Sequence, residues 1–254
     1  MAANGKQTCY EGRILQNYQV YLEQSGLHKR ILQGVHHILL GEFKRIGAGK
    51  SSLDVLGVGS GGVQITADIV EGSSKLTDNF KALVAKTANL QNISFAWHLM
   101  NSEDYERQVK AKGDMKTFDF IHMIQMIYYV DNLADTIKFY HSLLKNNGIM
   151  AATNSGSDTL WKAYKKELWV DSITDWRSSE EVIACLKSLG LKYEEHAIPN
   201  AFDIFNPNSQ IEEHLLNFIT SKDHFYQSFT PEIRAGMLDT QLKDAIVNHN
   251  FNRK

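Results

Sequence analysis

The sequence predicts an α/β fold in which a parallel or mostly parallel sheet follows an N-terminal helical cap. From Leu53 onward, short runs rich in valine, isoleucine and phenylalanine alternate with segments of helical spacing, a pattern typical of parallel strands joined by helices. Residues 1–50 carry apolar side chains at helical spacing and no strand pattern. We therefore expect one domain over 1–254, with a cap (1–50), a sheet core (51–200) and a C-terminal helical part (201–254).

The elements follow in order from this periodicity. In the cap, Ile14 and Tyr18 share one helical face, and apolar positions at helical spacing resume from Ile31 after Ser25 and Gly26. The last helix of the core opens with SSEEV, a capping-box pattern in which a serine and a glutamate satisfy the helix end. The predicted strands are LDVLGV, VQITADIV, ISFAW, FDFIHMI, GIMAAT and LKYEEHAI, and the helices between them cover 74–87, 102–112, 132–145 and 178–189.

The composition limits the classes of function. The formal net charge is -2 over 254 residues, so there is no basic surplus to neutralise the phosphates of a nucleic acid. No apolar run reaches the roughly 18 residues of a membrane span, and the N-terminus lacks a signal-peptide core. Cys9 and Cys185 are expected to be reduced thiols, and the scattered histidines predict no metal site. We expect a cytoplasmic monomer that binds neither nucleic acid nor membrane.

Two features at the ends of predicted strands indicate a nucleoside-containing cofactor. The first strand runs into a glycine-rich loop, GVGSGG at 57–62, whose backbone could approach a ligand closely. A hairpin turn is the alternative for this loop. The second strand ends in Glu71, and an acidic residue there typically accepts hydrogen bonds from both hydroxyls of a ribose. A solvated surface glutamate is the alternative for Glu71.

The fourth predicted strand ends in groups that could orient a small substrate. The run FDFIHMIQMIYYV is almost continuously apolar, as in a strand buried on both faces, and it reaches Gln125, Tyr128 and Tyr129. An amide and two phenols could orient a polar, aromatic or amine ligand beyond the carboxyl ends of the strands. Both tyrosines could instead be core aromatics with satisfied hydroxyls.

Four segments resemble one enzyme family. The segments NLQNISFAWH, FDFIHMIQMIYYVDNLADTIKFYHSLL, SGSDTLWKAYKKEL and LKSLGLKYEEH are similar to parts of the histamine N-methyltransferase family and of its carnosine-methylating relatives. The resemblance extends, with gaps, over residues 10–244. It implies a class I methyltransferase, in which a seven-stranded Rossmann-like sheet binds S-adenosylmethionine and an added helical region covers the substrate. It also implies methyl transfer to a ring nitrogen of an imidazole.

The resemblance implies roles for eight residues and no catalytic residue. The sulfonium methyl is already electrophilic and a neutral imidazole nitrogen already has a lone pair, so the protein has mainly to align them and keep the ring unprotonated. The positions matching the family's cofactor contacts are Gly59, Glu71 (ribose), Ser102 (adenine side) and Ile124. The positions matching residues that line the substrate pocket are Gln125, Tyr128, Tyr129 and Trp161.

The chain departs from the family at four places. The helix after the glycine loop is absent, because Val63 follows Gly62 directly, and a parallel crossover usually needs about a dozen residues. We therefore expect VQITADIV to turn back as an antiparallel hairpin, or the sheet to be rearranged. Leu27 stands where the family has an amine-anchoring glutamate, and Leu76 where it has a cofactor-contacting glutamine. The C-terminal AIVNHNFNRK has no strand pattern, so the last strand is expected to be missing.

Three functions remain open from the sequence. The residue matches favour S-adenosylmethionine-dependent methylation of histamine. The loss of the amine anchor at Leu27 favours carnosine, another imidazole compound or another small amine as substrate. The missing helix and strand favour a catalytically inactive relative, in which an exposed strand edge would promote association.

Overall fold

The chain folds into two compact units in the computed structural model. The sheet unit comprises Leu39–Gly156 and Trp176–Tyr193, and the helical unit comprises Met1–Ile38, Ser157–Asp175 and Glu194–Lys254. The residues that the structure describes are 12–25, 27–50, 52–58, 66–90, 93–113, 115–153, 159–169, 177–196 and 209–240.

The sheet unit is built on five parallel strands. The strand order is β3-β2-β1-β4-β5, and every pairing is parallel. The first five predicted strands are thus confirmed, and with them the α/β fold. The strands are β1 Asp54–Val58, β2 Thr66–Glu71, β3 Ser94–Leu99, β4 Phe118–Ile124 and β5 Leu144–Thr153.

The expectation that VQITADIV forms an antiparallel hairpin, or that the sheet is rearranged, is wrong. β2 pairs in parallel with β1, with Asp54 beside Thr66 and Val58 beside Val70. Eight Cα–Cα steps from Val58 to Thr66 can span about 26 Å, whereas strand rise and spacing separate these two residues by about 14 Å. Crossovers usually need a dozen residues because most of them contain a helix. A connection without a helix can be shorter, and the steps from Val58 to Thr66 are long enough for a parallel pairing. Residues 59–65 themselves lie outside the described part.

Polar caps set the starts of the helices around the sheet. Ser73, Asn101 and Asn132 each accept a backbone hydrogen bond at a helix N-terminus. The predicted capping box is confirmed, since Ser178 and Glu181 each bond the other's backbone N–H. The helices are α1 Gly12–Ser25, α2 Leu27–Gly47, α3 Ser74–Lys86, α4 Ser102–Lys112, α5 Leu133–Ser142, α6 Thr159–Ala163, α7 Lys165–Trp169, α8 Ser179–Ser188, α9 Ser209–Thr220 and α10 Phe225–Ser228, with 3-10 turns at Ala88–Leu90 and Ile127–Tyr129 and a helical stretch at 231–240.

Apolar side chains cover both faces of the sheet. On one face, Phe80 of α3 packs on Ala67 and Ile69, and Phe43 of α2 meets Phe120 edge to face with ring centroids 4.8 Å apart. On the other face, α4, α5 and α8 cover the sheet through a cluster that contains Leu56, Val70, Tyr105, Ile121, Met123, Ile137, Tyr140 and Val182. With both faces covered by apolar contacts, polar chemistry is expected at the strand ends.

The helical unit is organised around α1 and α9. The rings of Tyr18 and Tyr21 lie 5.5 and 4.4 Å from the ring of Phe218, and His214 Nδ1 bonds Asn17 Oδ1 at 2.7 Å. Helices α1 and α2 confirm the predicted helical character of the chain's first segment over the residues described. No helix among the described residues has the length and apolar character needed to cross a membrane.

The sixth predicted strand, LKYEEHAI, is wrong over its described part, 191–196, which forms no strand. The backbone N–H of Leu191 bonds the Leu186 carbonyl at 3.1 Å, and Gly190 has φ 65°, so the chain closes the end of α8 there. Tyr193 is exposed, and a run with so few apolar residues would bury little apolar surface by joining the sheet. Residues 241–254 are outside the described part, so the expected absence of the last strand stays a prediction.

A buried carboxylate links the amino ends of strands β1, β4 and β5. Asp119 of β4 is fully buried and binds Lys50, the Asp54 backbone N–H at 2.9 Å, and Lys145 Nζ at 2.9 Å. Burial alone would raise the pKa of Asp119, but the hydrogen bonds from Lys50, Asp54 and Lys145 outweigh it and lower the pKa to about 2.

Replacing Asp119 with asparagine is expected to lower the free energy of unfolding at pH 7 by about 2 to 3 kcal/mol. The depressed pKa stabilises the fold fully above about pH 4, and this contribution is lost as pH falls towards 2. Urea unfolding between pH 7 and 2.5 measures both effects. Asp54→Asn is the control, since this carboxylate is a third exposed and pairs with Lys145 Nζ at 2.6 Å; its loss should cost under about 1 kcal/mol. Equal losses in the two variants would contradict the prediction.

Candidate functional site

The carboxyl ends of the five parallel strands meet at one edge of the sheet, where ligands bind in folds of this type. Glu71 pairs with Leu99 and Ile124 with Thr153, and these four residues all lie one position beyond the row that contains Val58. We call Glu71, Leu99, Ile124 and Thr153 the edge row. Because side chains alternate along strands, the four side chains of the edge row are directed to the same face of the sheet.

Glu71 presents a fixed, half-buried carboxylate at this edge. Its Oε1 accepts the Ser73 backbone N–H at 2.8 Å, and Ser73 in turn caps α3 by accepting the Leu76 N–H. Burial raises the pKa of Glu71, while the amides of Ser73 and Gly72 act in the opposite direction without cancelling it. A carboxylate has about four acceptor positions, so two hydroxyl groups of a ligand could also bind there.

Apolar side chains flank this carboxylate along the edge row. Leu99 is 56% exposed although it is a large apolar residue, and Ile124 is partly buried. Exposed leucine surface next to a fixed carboxylate suits a ligand with a flat apolar part and a diol, as in a nucleoside. The carboxylate acceptor and the apolar side chains at the edge therefore fit an adenosine-containing cofactor. Gly59, the predicted cofactor glycine, lies outside the described residues.

Ser102 begins α4 directly after β3, but its hydroxyl is directed into the core. Its Oγ lies 3.0 Å from the hydroxyl of buried Tyr140, and burial raises the pKa of Tyr140 well above its usual value. Asn101 caps α4 by accepting the Asp104 N–H at 2.7 Å. A contact between Ser102 and an adenine stays a prediction, since the hydroxyl is already bonded to Tyr140.

Gln125 follows β4 with an unusual backbone conformation. Its φ is 54°, in the left-handed region that residues other than glycine rarely adopt. The Gln125 backbone N–H donates to Thr153 Oγ1 at 2.9 Å, and its side-chain Nε2 donates to the same oxygen at 3.3 Å. Such local strain is often found at functional sites. Gln125 is thus held at the carboxyl edge, directly after the edge row.

The tyrosine pair follows in the 3-10 turn Ile127–Tyr129. Tyr129 packs partly buried against the apolar cluster, and its backbone N–H bonds the Met126 carbonyl at 2.9 Å. These contacts agree with a core role for Tyr129 and leave a substrate contact as a prediction. Tyr128 lies in the same turn, but its side chain is outside the described part of the chain.

Two further predicted positions lie in the helical unit. Trp161 of α6 is buried, and its indole N–H donates to the Ile219 carbonyl at 2.9 Å. The structure thus brings Glu71, Ile124 and Gln125 to one edge of the sheet unit and holds Trp161 within the helical unit. Leu27 is the first residue of α2, and its side chain is outside the described part.

A second polar cluster lies on β2 and was missed from the sequence. Asp68 binds His98 Nε2 at 3.2 Å and Lys116 Nζ at 2.5 Å. Burial would raise the pKa of Asp68, but these two hydrogen bonds outweigh it and keep the pKa below its usual value. Burial and the Asp68 charge raise the pKa of Tyr105 to about 12. Among the described residues, no group of three or more His, Cys, Asp or Glu could hold a metal ion.

Leu99 and Thr153 are the edge residues that sequence reasoning missed. Leu99 falls two residues beyond the predicted strand ISFAW, at the end of β3, and no sequence motif marks it. Thr153 follows GIMAA, and a polar β-branched residue at the end of a predicted parallel strand is the one signal that could have found it.

Comparison with known proteins points to one family. A family model described as a methyltransferase domain matches residues 34–196. Histamine N-methyltransferase of Cavia porcellus is 34% identical over 261 residues, covering 93% of this chain and 89% of that protein. Carnosine N-methyltransferase 2 of Gallus gallus is 33% identical, covering 86% of this chain and 75% of that protein. Histamine N-methyltransferase A of Xenopus laevis is 32% identical, covering 87% and 84%.

Proposed function

We propose a function from one premise: this chain belongs to the histamine N-methyltransferase family and is an S-adenosylmethionine-dependent N-methyltransferase. Our proposal for its reaction is methyl transfer from S-adenosylmethionine to a ring nitrogen of histamine. The observation that carries it is the shared position of Glu71 and Ile124 in the edge row, with Gln125 immediately beyond.

The cofactor would be held by groups at the carboxyl edge. Glu71 would accept hydrogen bonds from the two ribose hydroxyls, and Ile124 and Leu99 would contact the base through apolar surface. Ser102 would contribute at the adenine side, and Gly59 would allow close approach because it has no side chain. When bound, S-adenosylmethionine supplies a methyl group on a positively charged sulfur.

The substrate would be oriented by Gln125, Tyr128 and Tyr129 of the sheet unit. A neutral imidazole nitrogen is a nucleophile as it stands, so these residues need only hold the ring with its lone pair in line with the methyl group. An amide and phenol hydroxyls can do this through hydrogen bonds without carrying a charge. We therefore assign no general base to this chain.

Carnosine or another imidazole compound is the second candidate substrate. Leu27, the first residue of α2, cannot accept a hydrogen bond from an ammonium group, so an amine anchor at that position is absent. A substrate whose amine is bound elsewhere, or not at all, would lose less binding affinity than histamine from having leucine at position 27.

Titration calorimetry and a labelled-methyl assay test the proposal. We expect S-adenosylmethionine and its demethylated product to bind with micromolar dissociation constants, and histamine to be methylated faster than carnosine. Faster turnover of carnosine would replace the proposed substrate by the second candidate. Cofactor binding without transfer to any imidazole compound would overturn the proposed reaction, and absence of cofactor binding would overturn the proposed cofactor site.

A further inference from the structure

Thr153 ends β5 beside Ile124 and binds Gln125 through one oxygen atom. Thr153 Oγ1 accepts the backbone N–H of Gln125 at 2.9 Å and its side-chain Nε2 at 3.3 Å. We propose that Thr153 is a positioning residue for methyl transfer: its hydroxyl holds the Gln125 amide in the orientation that receives the imidazole substrate. This inference rests on the proposed function, in which Gln125 orients that ring.

The backbone hydrogen bond fixes where Gln125 stands. A φ of 54° is unfavourable for glutamine, so the residue keeps this conformation only where its neighbours enforce it. Ile124 is fixed on one side by pairing with Thr153, and Met126 is buried on the other side. The hydrogen bond from the Gln125 N–H to Thr153 Oγ1 therefore holds the Gln125 backbone in this conformation at the carboxyl edge of the sheet.

The side-chain hydrogen bond fixes how the amide is turned. A hydroxyl oxygen has two acceptor positions, and in Thr153 the two nitrogens of Gln125 are placed to use them. With Nε2 directed to β5, rotation of the amide about its last side-chain bonds is restricted before the substrate arrives. A preorganised group loses less freedom on binding and holds the reacting nitrogen closer to the productive line.

A purely structural role would predict different behaviour. Thr153 also ends a strand, so loss of its hydroxyl could simply loosen the carboxyl edge. Such loosening would lower the melting temperature and weaken cofactor and substrate binding together, since Glu71 and Ile124 belong to the same edge row. A positioning role affects the imidazole substrate and leaves the cofactor alone.

The test compares Thr153→Val with Thr153→Ser. Valine keeps the shape of threonine without the hydroxyl, and serine keeps the hydroxyl without the methyl group. We expect kcat/KM for histamine to fall about tenfold in the valine variant and to stay within about threefold of the unsubstituted protein in the serine variant. The dissociation constant of S-adenosylmethionine, measured by calorimetry, should change by less than about twofold in both.

A double-mutant cycle with Gln125→Ala locates the effect. If Thr153 acts through the Gln125 amide, Thr153→Val should change kcat/KM by less than about twofold in the Gln125→Ala background. Histamine affinity, measured by calorimetry with the demethylated cofactor bound, should follow the same pattern and gives a readout that does not depend on turnover. An effect that is undiminished in the Gln125→Ala background would overturn the inference.

The outcomes separate this inference from the proposed function. If the unsubstituted protein methylates an imidazole compound and Thr153→Val equals it, the positioning role is wrong and the proposed reaction stands. Equal weakening by valine and serine, or a parallel loss of cofactor affinity, also overturns the positioning role. If the unsubstituted protein methylates no imidazole compound, the proposed reaction is overturned and this inference with it.

Discussion

Replacing Glu71 with glutamine is expected to weaken S-adenosylmethionine binding about 30- to 100-fold. Hydrogen bonds to an ionised group contribute about 1.5 to 3 kcal/mol each, and glutamine keeps one acceptor oxygen while losing the charge and the second. The fold should persist, because the amide oxygen of glutamine can still accept the Ser73 N–H that Glu71 accepts at 2.8 Å. Calorimetry with S-adenosylmethionine at pH 7.5, together with the melting temperature, measures both expectations.

The matched control for this change is Glu106→Gln. Glu106 lies on α4 and pairs with Lys110 of the same helix. It is a helix residue and does not belong to the edge row. This change should leave cofactor affinity within about twofold, since Glu106 is not in the edge row and its ion pair lies within one helix. An affinity of Glu71→Gln within about threefold of the unsubstituted protein would remove Glu71 from the cofactor site.

The same residue predicts a pH dependence of cofactor binding. Ribose hydroxyls donate to the ionised carboxylate, and burial raises the pKa of Glu71. Affinity should therefore fall as pH drops through this raised pKa, starting at a higher pH than for an ordinary glutamate. The Glu71→Gln variant has no carboxylate to protonate, so its weaker affinity should lack this decline.

Local patterns were sufficient for most of the sheet. FDFIHMI is mostly apolar because β4 lies between β1 and β5 and is buried on both faces. The capping box at Ser178 was equally predictable, since its two residues are three apart in sequence. The direction of β2 was not, because it depends on long-range pairing with β1 and not on the few residues between the strands.

The parts of the site that the sequence could not predict depend on contacts between distant residues. Thr153 and Gln125 are 28 residues apart, and their hydrogen bond exists because Ile124 and Thr153 are register partners. Ser102 and Tyr140 are 38 residues apart, and only packing of α5 against α4 directs the Ser102 hydroxyl inward. A motif gives the position of a residue, while strand register and packing decide which of its atoms face a ligand.

Acidification from pH 6.5 to pH 4 is expected to cost the fold about 3 kcal/mol through His122 alone. His122 is buried in the middle of β4, with its ring 5.9 Å from that of Phe120, and burial lowers its pKa to about 4. Between these pH values the unfolded chain binds a proton that the folded chain does not, so stability falls with pH. Below about pH 4 the folded and unfolded states are both protonated at His122, so the loss of stability from this residue grows no further.

His122→Asn tests this effect, because asparagine is polar and cannot take up the proton. We expect the free energy of unfolding, from urea titrations at pH 7, 6, 5 and 4.5, to fall less steeply with acid in this variant than in the unsubstituted protein. His141→Asn is the control, since His141 is exposed on α5, and it should leave the slope unchanged. Carboxylates such as Asp119 contribute equally to all three proteins and at lower pH, so they cancel in the comparison. A slope for His122→Asn equal to that of the unsubstituted protein would show that His122 is accessible to protons in the folded state.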